Sequence, residues 1–299
     1  MGVLGCLGIL GYWQWAQAPV RSKSSQEAVF VIPKGQGVKQ IASRLKQAKL
    51  IKDELIFRLL VDRKALSGGL QAGDFRLSQA MNLETIIETL THGSLDFWIT
   101  FPEGLRAEEY SERLAAKSEI IPSEFLTAAK PDEGKLFPDT YLIPQNASAE
   151  DVVNLLTATF AKKSPNTDKQ TLILASLIER EAKHEADRPL VASVLHNRLK
   201  LGMALQIDAT VQYILGKPGN WWPKDLTREQ LKTPSLFNTY LHPGLPPAPI
   251  CNPGLSSLRA ALNPAQTDYL YYLSDSGGYN HYATTLEEHN ANVVKYLGK

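Results

Sequence analysis

The chain has 299 residues, enough for two domains and a sizeable core. Its 32 Lys plus Arg stand against 31 Asp plus Glu. That net of +1 argues against a nucleic-acid-binding surface and is compatible with a mostly uncharged polymer as ligand. The 2 cysteines, Cys6 and Cys251, argue against a structural disulfide, because Cys6 lies in an apolar N-terminal run, and they offer no zinc-ligand spacing.

Residues 2–18 are apolar except for Gln14 and Gln17, about the lower limit for a membrane span. Trp13 and Trp15 suit a membrane interface. The sequence therefore predicts a single transmembrane anchor over residues 1–20. One feature opposes it: Arg21 and Lys23 follow the apolar run and nothing basic precedes it, which by the positive-inside tendency places the body in the cytoplasm. An upstream start supplying basic residues would remove the conflict. Cys6 has a lipoprotein-like look, but the apolar stretch before it is too short for a signal peptide. The alternative is a buried helix of a soluble protein, against which the following polar segment argues. Residues 21–27 are rich in Ser and Lys and read as a flexible linker.

A compact unit is expected over residues 28–100. Phe30, Val31 and Ile32 suggest a strand, and the Pro33 to Gly37 segment a turn. Ile41, Leu45 and Ala48 fall at helical spacing within 38–51, and a second helix follows over 54–62. A strand over 73–77, a helix over 83–91 and a strand over 97–100 complete it. Pro102, Glu103 and Gly104 then turn the chain into a helix containing Tyr110 and Leu114. At 136–141 the sequence reads LFPDTY. Pro138 reads as fixing a tight turn. Asp139 either caps that turn or belongs to an aromatic sugar platform.

Residues 174–182, LASLIEREA, read as helix, because Leu174, Leu177 and Ile178 share one stripe. Glu181 lies seven, four and three residues after them, on the same stripe. Burial there would raise its pKa and keep a proton available for donation. The competing reading is a rim carboxylate paired with a base such as Arg188. Glu179, two residues away and roughly opposite on the helix, ranks second as an acid, and Glu185 third. Arg180 and Lys183 read as solvated charges.

The blocks that follow are DRPLVASVLHNRLKLGMALQIDATVQYILG, TPSLFNTYLHPGLPPAPICNPGLSSLRAALNPA and YLYYLSDSGGYNHYATTLEEHN. With the 174–182 helix, in this order, they closely resemble the endolytic murein transglycosylases of the YceG-like or MltG family, which cut peptidoglycan glycan strands. The resemblance covers roughly everything after Phe30 and is densest from Leu174 onward.

The resemblance implies an α+β fold: a small LysM-like domain over 28–100, glycan-binding or merely a spacer, then a larger mixed catalytic domain over 101–299. It places the general acid at Glu181. In such an enzyme one carboxyl group protonates the leaving oxygen. It then accepts the proton of the muramyl C6 hydroxyl as that oxygen attacks its own C1, giving a 1,6-anhydro end without a water nucleophile. Gln206, Asp208 and Thr210 match the polar positions of an LQTDPTV-like motif that reads LQIDATV here, with Ile207 for Thr and Ala209 for Pro. Asp208 would orient Glu181, stabilise positive charge at C1, or serve as a turn residue. Asn238, Thr239 and Tyr240 match a YNTY block with Phe237 for its first Tyr. Asn197 is placed to bind an N-acetyl group or to cap backbone. His281 and the 284–290 segment match the C-terminal block, in which His289 and Asn290 close the site or cap local structure. Cys251 reads as packing.

His184-Glu185 begins like a zincin motif, but Arg188 holds the place of its second His, so no metal and no cofactor is expected. Three functions stand: a membrane-anchored lytic transglycosylase, a lysozyme-type muramidase using Asp208 and a water, and a non-catalytic peptidoglycan-binding scaffold. The family further implies cell-wall synthesis enzymes as partners and a body outside the cytoplasmic membrane.

Overall fold

Two apolar sets, separate along the chain, produce two compact units in the computed structural model: Met1–Trp98 with Leu142–Asn146, and Ile99–Tyr141 with Ala147–Lys299. The described residues are 2–22, 27–33, 35–66, 68–70, 73–92, 96–145, 147–165 and 167–298.

The first unit begins with α1 (Gly2–Gln17) and continues through β1 (Glu27–Ile32), α2 (Val38–Gln47), α3 (Glu54–Arg63), β2 (Gly73–Ser78) and α4 (Leu83–His92). β1 and β2 pair antiparallel with Phe30 opposite Phe75. Strand alternation puts Phe30, Ile32, Phe75 and Leu77 inside, where Ile41 and Leu45 of α2, Phe57 and Val61 of α3, and Ile86, Ile87 and Leu90 of α4 meet them. Asp53 caps α3 by accepting from the amides of Leu55 and Ile56, which holds its carboxyl below the usual range. The helices and strands expected from periodicity over 28–92 are present within a few residues of the expected bounds.

α1 has 16 residues, and among the described residues no helix is long and apolar enough to cross a membrane. Its C-terminal half packs on the unit: Ala16 joins the core and Trp13 packs against it. Tyr12 donates to Asp53 at 2.7 Å, and Lys52 donates to the carbonyl of Trp15 at 3.2 Å. Leu10, Tyr12 and Trp15 remain exposed. Pro19, two residues beyond the helix end, disfavours its continuation through Ala18. Of the expected linker, residues 23–26 lie outside the described residues, and the Arg21 amide is tied to the Gln79 carbonyl at 2.9 Å.

The chain passes into the second unit through β3 (Phe97–Thr100), which pairs with β4 (Thr140–Ile143). Between them lie α5 (Ala107–Ala115) and α6 (Pro122–Ala129). After β4 come α7 (Ala149–Lys163), α8 (Lys169–Glu181), α9 (Arg188–Lys200), α10 (Asp208–Leu215), α11 (Leu255–Leu262), the hairpin β5 (Tyr271–Ser274) and β6 (Asn280–Ala283), and α12 (Leu286–Leu297). Helices with short two-stranded sheets make the fold mixed α+β.

α8 is the centre of this unit. Every residue from Leu172 to Ile178 is buried, so the helix is enclosed all round, a wider burial than one apolar stripe implies. Leu174, Leu177 and Ile178 belong to one core with Val191, Ala192 and Leu195 of α9 and Leu258 and Ala261 of α11. Cys251 is buried beside α8, its thiol directed at the Ser176 carbonyl at 3.3 Å. Asp139 pairs with Lys163 at 2.9 Å and accepts from the Thr140 amide at 2.8 Å, and both bonds hold its carboxyl below the usual range.

Candidate active site

Glu181 is the last residue of α8, and Ala182 beyond it is extended, with φ −106° and ψ 104°. The core helix thus delivers one carboxyl group to the point where the protein interior opens. There a cavity of about 230 Å³ collects Glu181, Leu205, Gln206 and Asp208 from the segment entering α10, Tyr240, Arg198 of α9, and Tyr272, Leu273 and Ser274 of β5.

Glu181 accepts a hydrogen bond from the Tyr272 hydroxyl at 2.7 Å. Its pKa is raised above the ordinary carboxyl value. Burial is the main cause and the negative charge of Asp208 adds to it, while the Tyr272 bond, the charge of Arg180 and the Ala209 amide oppose it. In the same cavity Tyr240 donates to Asp208 at 2.6 Å, and burial together with the nearby carboxylate pushes the Tyr240 phenol up. The cavity therefore holds two carboxyl groups, each bonded to a tyrosine hydroxyl.

The other two acid candidates lie elsewhere. Glu179 is paired with Arg188 at 2.9 Å and accepts from the Gly254 amide at 2.9 Å. Arg188 also reaches Glu103 at 3.2 Å. The base considered as a partner for Glu181 thus serves Glu179 instead, because Glu179 faces the opposite side of α8. Burial still raises the Glu179 pKa against the pull of Arg188. Glu185 is exposed, in a short 3-10 turn after the helix. Arg180 departs from its expected solvated state: its guanidinium lies 3.8 Å from the Trp222 ring centroid and donates to the Gly104 carbonyl at 3.3 Å. Lys183 is exposed and donates to the Gly277 carbonyl at 3.0 Å.

Of the residues expected at the site, Glu181, Gln206, Asp208 and Tyr240 come together at the cavity. Gln206 is held with φ +54°, a left-handed backbone that costs about 1 kcal/mol or more in a residue with a side chain. Its amide donates to the Thr239 carbonyl at 3.1 Å, which fixes the loop that presents it. Asn197, Thr210, Asn238 and His281 do not line the cavity. Asn197 donates to the carbonyls of Thr267 and Tyr269 and anchors the chain before β5. Thr210 is buried, bonded to the Ile207 carbonyl and to Thr239 Oγ1. Asn238 is buried, donates to the Leu231 and Thr233 carbonyls and accepts from the Tyr240 amide, so it shapes the loop carrying Tyr240. His281 pairs with Asp275 at 2.9 Å and stacks on Tyr296 with centroids 3.5 Å apart. His289 stacks on Tyr271.

Five lining residues were not among those expected at the site: Arg198, Leu205, Tyr272, Leu273 and Ser274. Arg198 is buried and spends its donors on the carbonyls of Leu270, Ala204 and Leu205, fastening β5 to the segment before α10. Tyr272 sits in a run of tyrosines, Tyr269, Tyr271 and Tyr272, in which nothing local marks the one that meets Glu181. Strand alternation separates Tyr272 from Tyr271 by face, which was the available signal.

The YceG-like family profile matches residues 30–295. An endolytic murein transglycosylase of Bacillus subtilis (strain 168) is 37% identical over 320 residues, covering 93% of this chain and 87% of that protein. A second, from Streptococcus pneumoniae serotype 2 (strain D39 / NCTC 7466), is 26% identical over 351 residues. It matches 99% of this chain, which spans 64% of that protein's length. A crystal structure of a yceG-like protein from Listeria monocytogenes superimposes with a TM-score of 0.59 at 30% identity, covering 90% of this chain and 99% of that one.

Proposed function

The chain belongs to the YceG-like family, and from that premise we propose that it is an endolytic lytic transglycosylase that cleaves the MurNAc–GlcNAc bond within peptidoglycan strands. The observation that carries the assignment of the acid is the state of Glu181. It is a carboxyl group on the cavity wall whose pKa is raised by burial, while the ion pair on α8 goes to Glu179.

A raised pKa keeps the proton on Glu181 available for the glycosidic oxygen. As the C1–O bond breaks, that oxygen leaves as the hydroxyl of the adjoining GlcNAc, and positive charge develops at the muramyl C1. Asp208 faces this charge, held by Tyr240. The C6 hydroxyl of the same sugar attacks C1, and its proton returns to the Glu181 carboxylate. The sum is a 1,6-anhydro end and a new GlcNAc terminus, with no water consumed and the acid regenerated. Intramolecular attack replaces the second carboxyl-activated nucleophile of a hydrolase.

Asp208 in the same cavity also supports a muramidase reading, in which it would activate water. Mass analysis of digested sacculi separates the readings: anhydro ends support the transglycosylase, reducing ends the muramidase, and intact strands a binding scaffold.

The β1–α2–α3–β2 order of the first unit supports a LysM-like, glycan-contacting module. The apolar 2–18 segment supports an anchor in the cytoplasmic membrane, with the body and its glycan substrate outside it and wall-synthesis enzymes as neighbours.

A further inference from the structure

Glu181 must act twice on one substrate, first giving and then taking a proton at two different oxygens. A carboxyl group at the free end of a helix can rotate between those steps unless something holds it. Here the holder is on a different element. The β5–β6 hairpin brings the Tyr272 hydroxyl to Glu181 Oε2 at 2.7 Å.

The hairpin is itself fastened to the segment that follows Glu181. The Gly277 carbonyl at its turn accepts from Lys183 Nζ at 3.0 Å, and the His184 ring stacks on Tyr279 with centroids 4.0 Å apart. Gly278 has φ +84°, a conformation that suits glycine, and a Cβ there would stand 2.5 Å from Lys183 Cδ, so the turn lies close against that side chain. On β6, Tyr282 donates to Asp187 Oδ1 at 2.9 Å, and the Asn280 amide donates to Asp187 Oδ2 at 3.3 Å. Tyr272 stands directly opposite Tyr282 in the hairpin register. Residues 183, 184 and 187 therefore fix the distance between Tyr272 and residue 181.

Resting on the assignment of Glu181 as the acid, we propose that Tyr272 is the positioning residue of the reaction. Its hydroxyl holds the Glu181 carboxyl in one orientation through both proton transfers and stabilises the carboxylate that exists between them. Burial and the adjacent carboxyl raise the Tyr272 phenol well above its ordinary pKa, so it remains a donor throughout.

The sign of the effect follows. The Tyr272 bond opposes the raised Glu181 pKa, so removing it raises that pKa further. In the full chain acting on purified glycan strands, Tyr272→Phe should shift the alkaline limb of the kcat profile to higher pH. It should lower kcat about ten- to a hundredfold while changing KM about twofold or less, as expected for losing a hydrogen bond to a group that is charged only during turnover. A fluorinated tyrosine at position 272, isosteric but more acidic, should move the limb the opposite way, which keeps the test open if the Phe variant folds poorly. Tyr282→Phe, which removes one of the bonds that fasten the hairpin, should lower Tm and shift the limb in the same direction as Tyr272→Phe but by less. An unmoved limb in both position-272 variants overturns the positioning role. Normal turnover by Glu181→Gln would instead overturn the assignment of the acid.

Discussion

Arg188 pairs with Glu179, not with Glu181, although the two carboxylates lie two residues apart on α8. The helix turns them to opposite sides. Glu179 meets a guanidinium and the Gly254 amide. Glu181 meets the Tyr272 hydroxyl and a cavity. One carboxylate ties α8 to the starts of α9 and α11, and the other is left to exchange a proton.

Glu181→Gln should therefore abolish cleavage while the fold persists. Gln keeps the size and can still accept from Tyr272, but it cannot donate the proton. The expected loss in kcat is at least about 100-fold, the lower bound for general acid catalysis. Turnover on purified glycan strands checks it, and near-normal activity would remove Glu181 from the mechanism. If Glu179→Gln were the inactive but folded variant instead, the two roles would be reversed.

The same substitution should stabilise the protein at neutral pH. Folding raises the Glu181 pKa above its unfolded value, so the native state favours the protonated form. That contribution is fully present below the unfolded pKa and is lost as pH rises through the folded one. Glu181→Gln has nothing to lose in that window. Tm measured across pH should show the two proteins converging in acid and the variant pulling ahead toward neutrality. A constant Tm difference would mean that burial does not disfavour the Glu181 charge.

Asp208→Asn should move the alkaline limb of the kcat profile to lower pH. The Asp208 charge raises the Glu181 pKa, and its removal lets that pKa fall. The loss of charge opposite the developing cation should also reduce kcat by roughly 10- to 100-fold. A muramidase using Asp208 as base would lose the acid limb as well, so the shape of the profile distinguishes the two chemistries.

Arg188→Met should destabilise the second unit without touching the cavity. The Glu179 and Arg188 side chains are only 6% and 10% exposed. Removing one partner of such a pair leaves a buried charge and costs about 3–5 kcal/mol. Denaturant unfolding should report that loss, and the double variant with Glu179→Met should recover part of it. A loss under about 1 kcal/mol would mean that Arg188 contributes no more than a surface ion pair.

Alkaline phosphatase fused after Lys299 should be active, and green fluorescent protein at the same place should stay dark. The phosphatase needs oxidising conditions to form its disulfides, which exist outside the cytoplasm. The opposite pattern would put the body in the cytoplasm, away from peptidoglycan.

Local pattern was enough to place the helices and strands over residues 28–92, the 97–100 strand and a helix over 174–182, because each depends on periodicity within its own segment; the end of that helix, expected near Glu185, falls at Glu181. The helical stripe also pointed to Glu181, whereas Gln206, Asp208 and Tyr240 came from the resemblance to the YceG-like family; all four share the cavity. Their polar neighbours Asn197, Thr210 and Asn238 looked equivalent in the sequence. All three bond to backbone or to buried threonine and build the loops instead. An amide or hydroxyl is equally suited to a sugar and to a carbonyl of its own chain, and only the position of those carbonyls decides between them.

The sequence by itself determined that Glu181 would lie on the apolar stripe of a helix, since helical spacing is set by the backbone alone. Tertiary structure decided which carboxylate Arg188 would neutralise, which tyrosine of the 269–272 run would reach Glu181, and that Arg180 would lie on Trp222 rather than in water. Each of these contacts joins residues brought together by the folding of different elements. A pKa is set by whatever surrounds the group in space, and for Glu181 those surroundings arrive from α10 and a hairpin about ninety residues away.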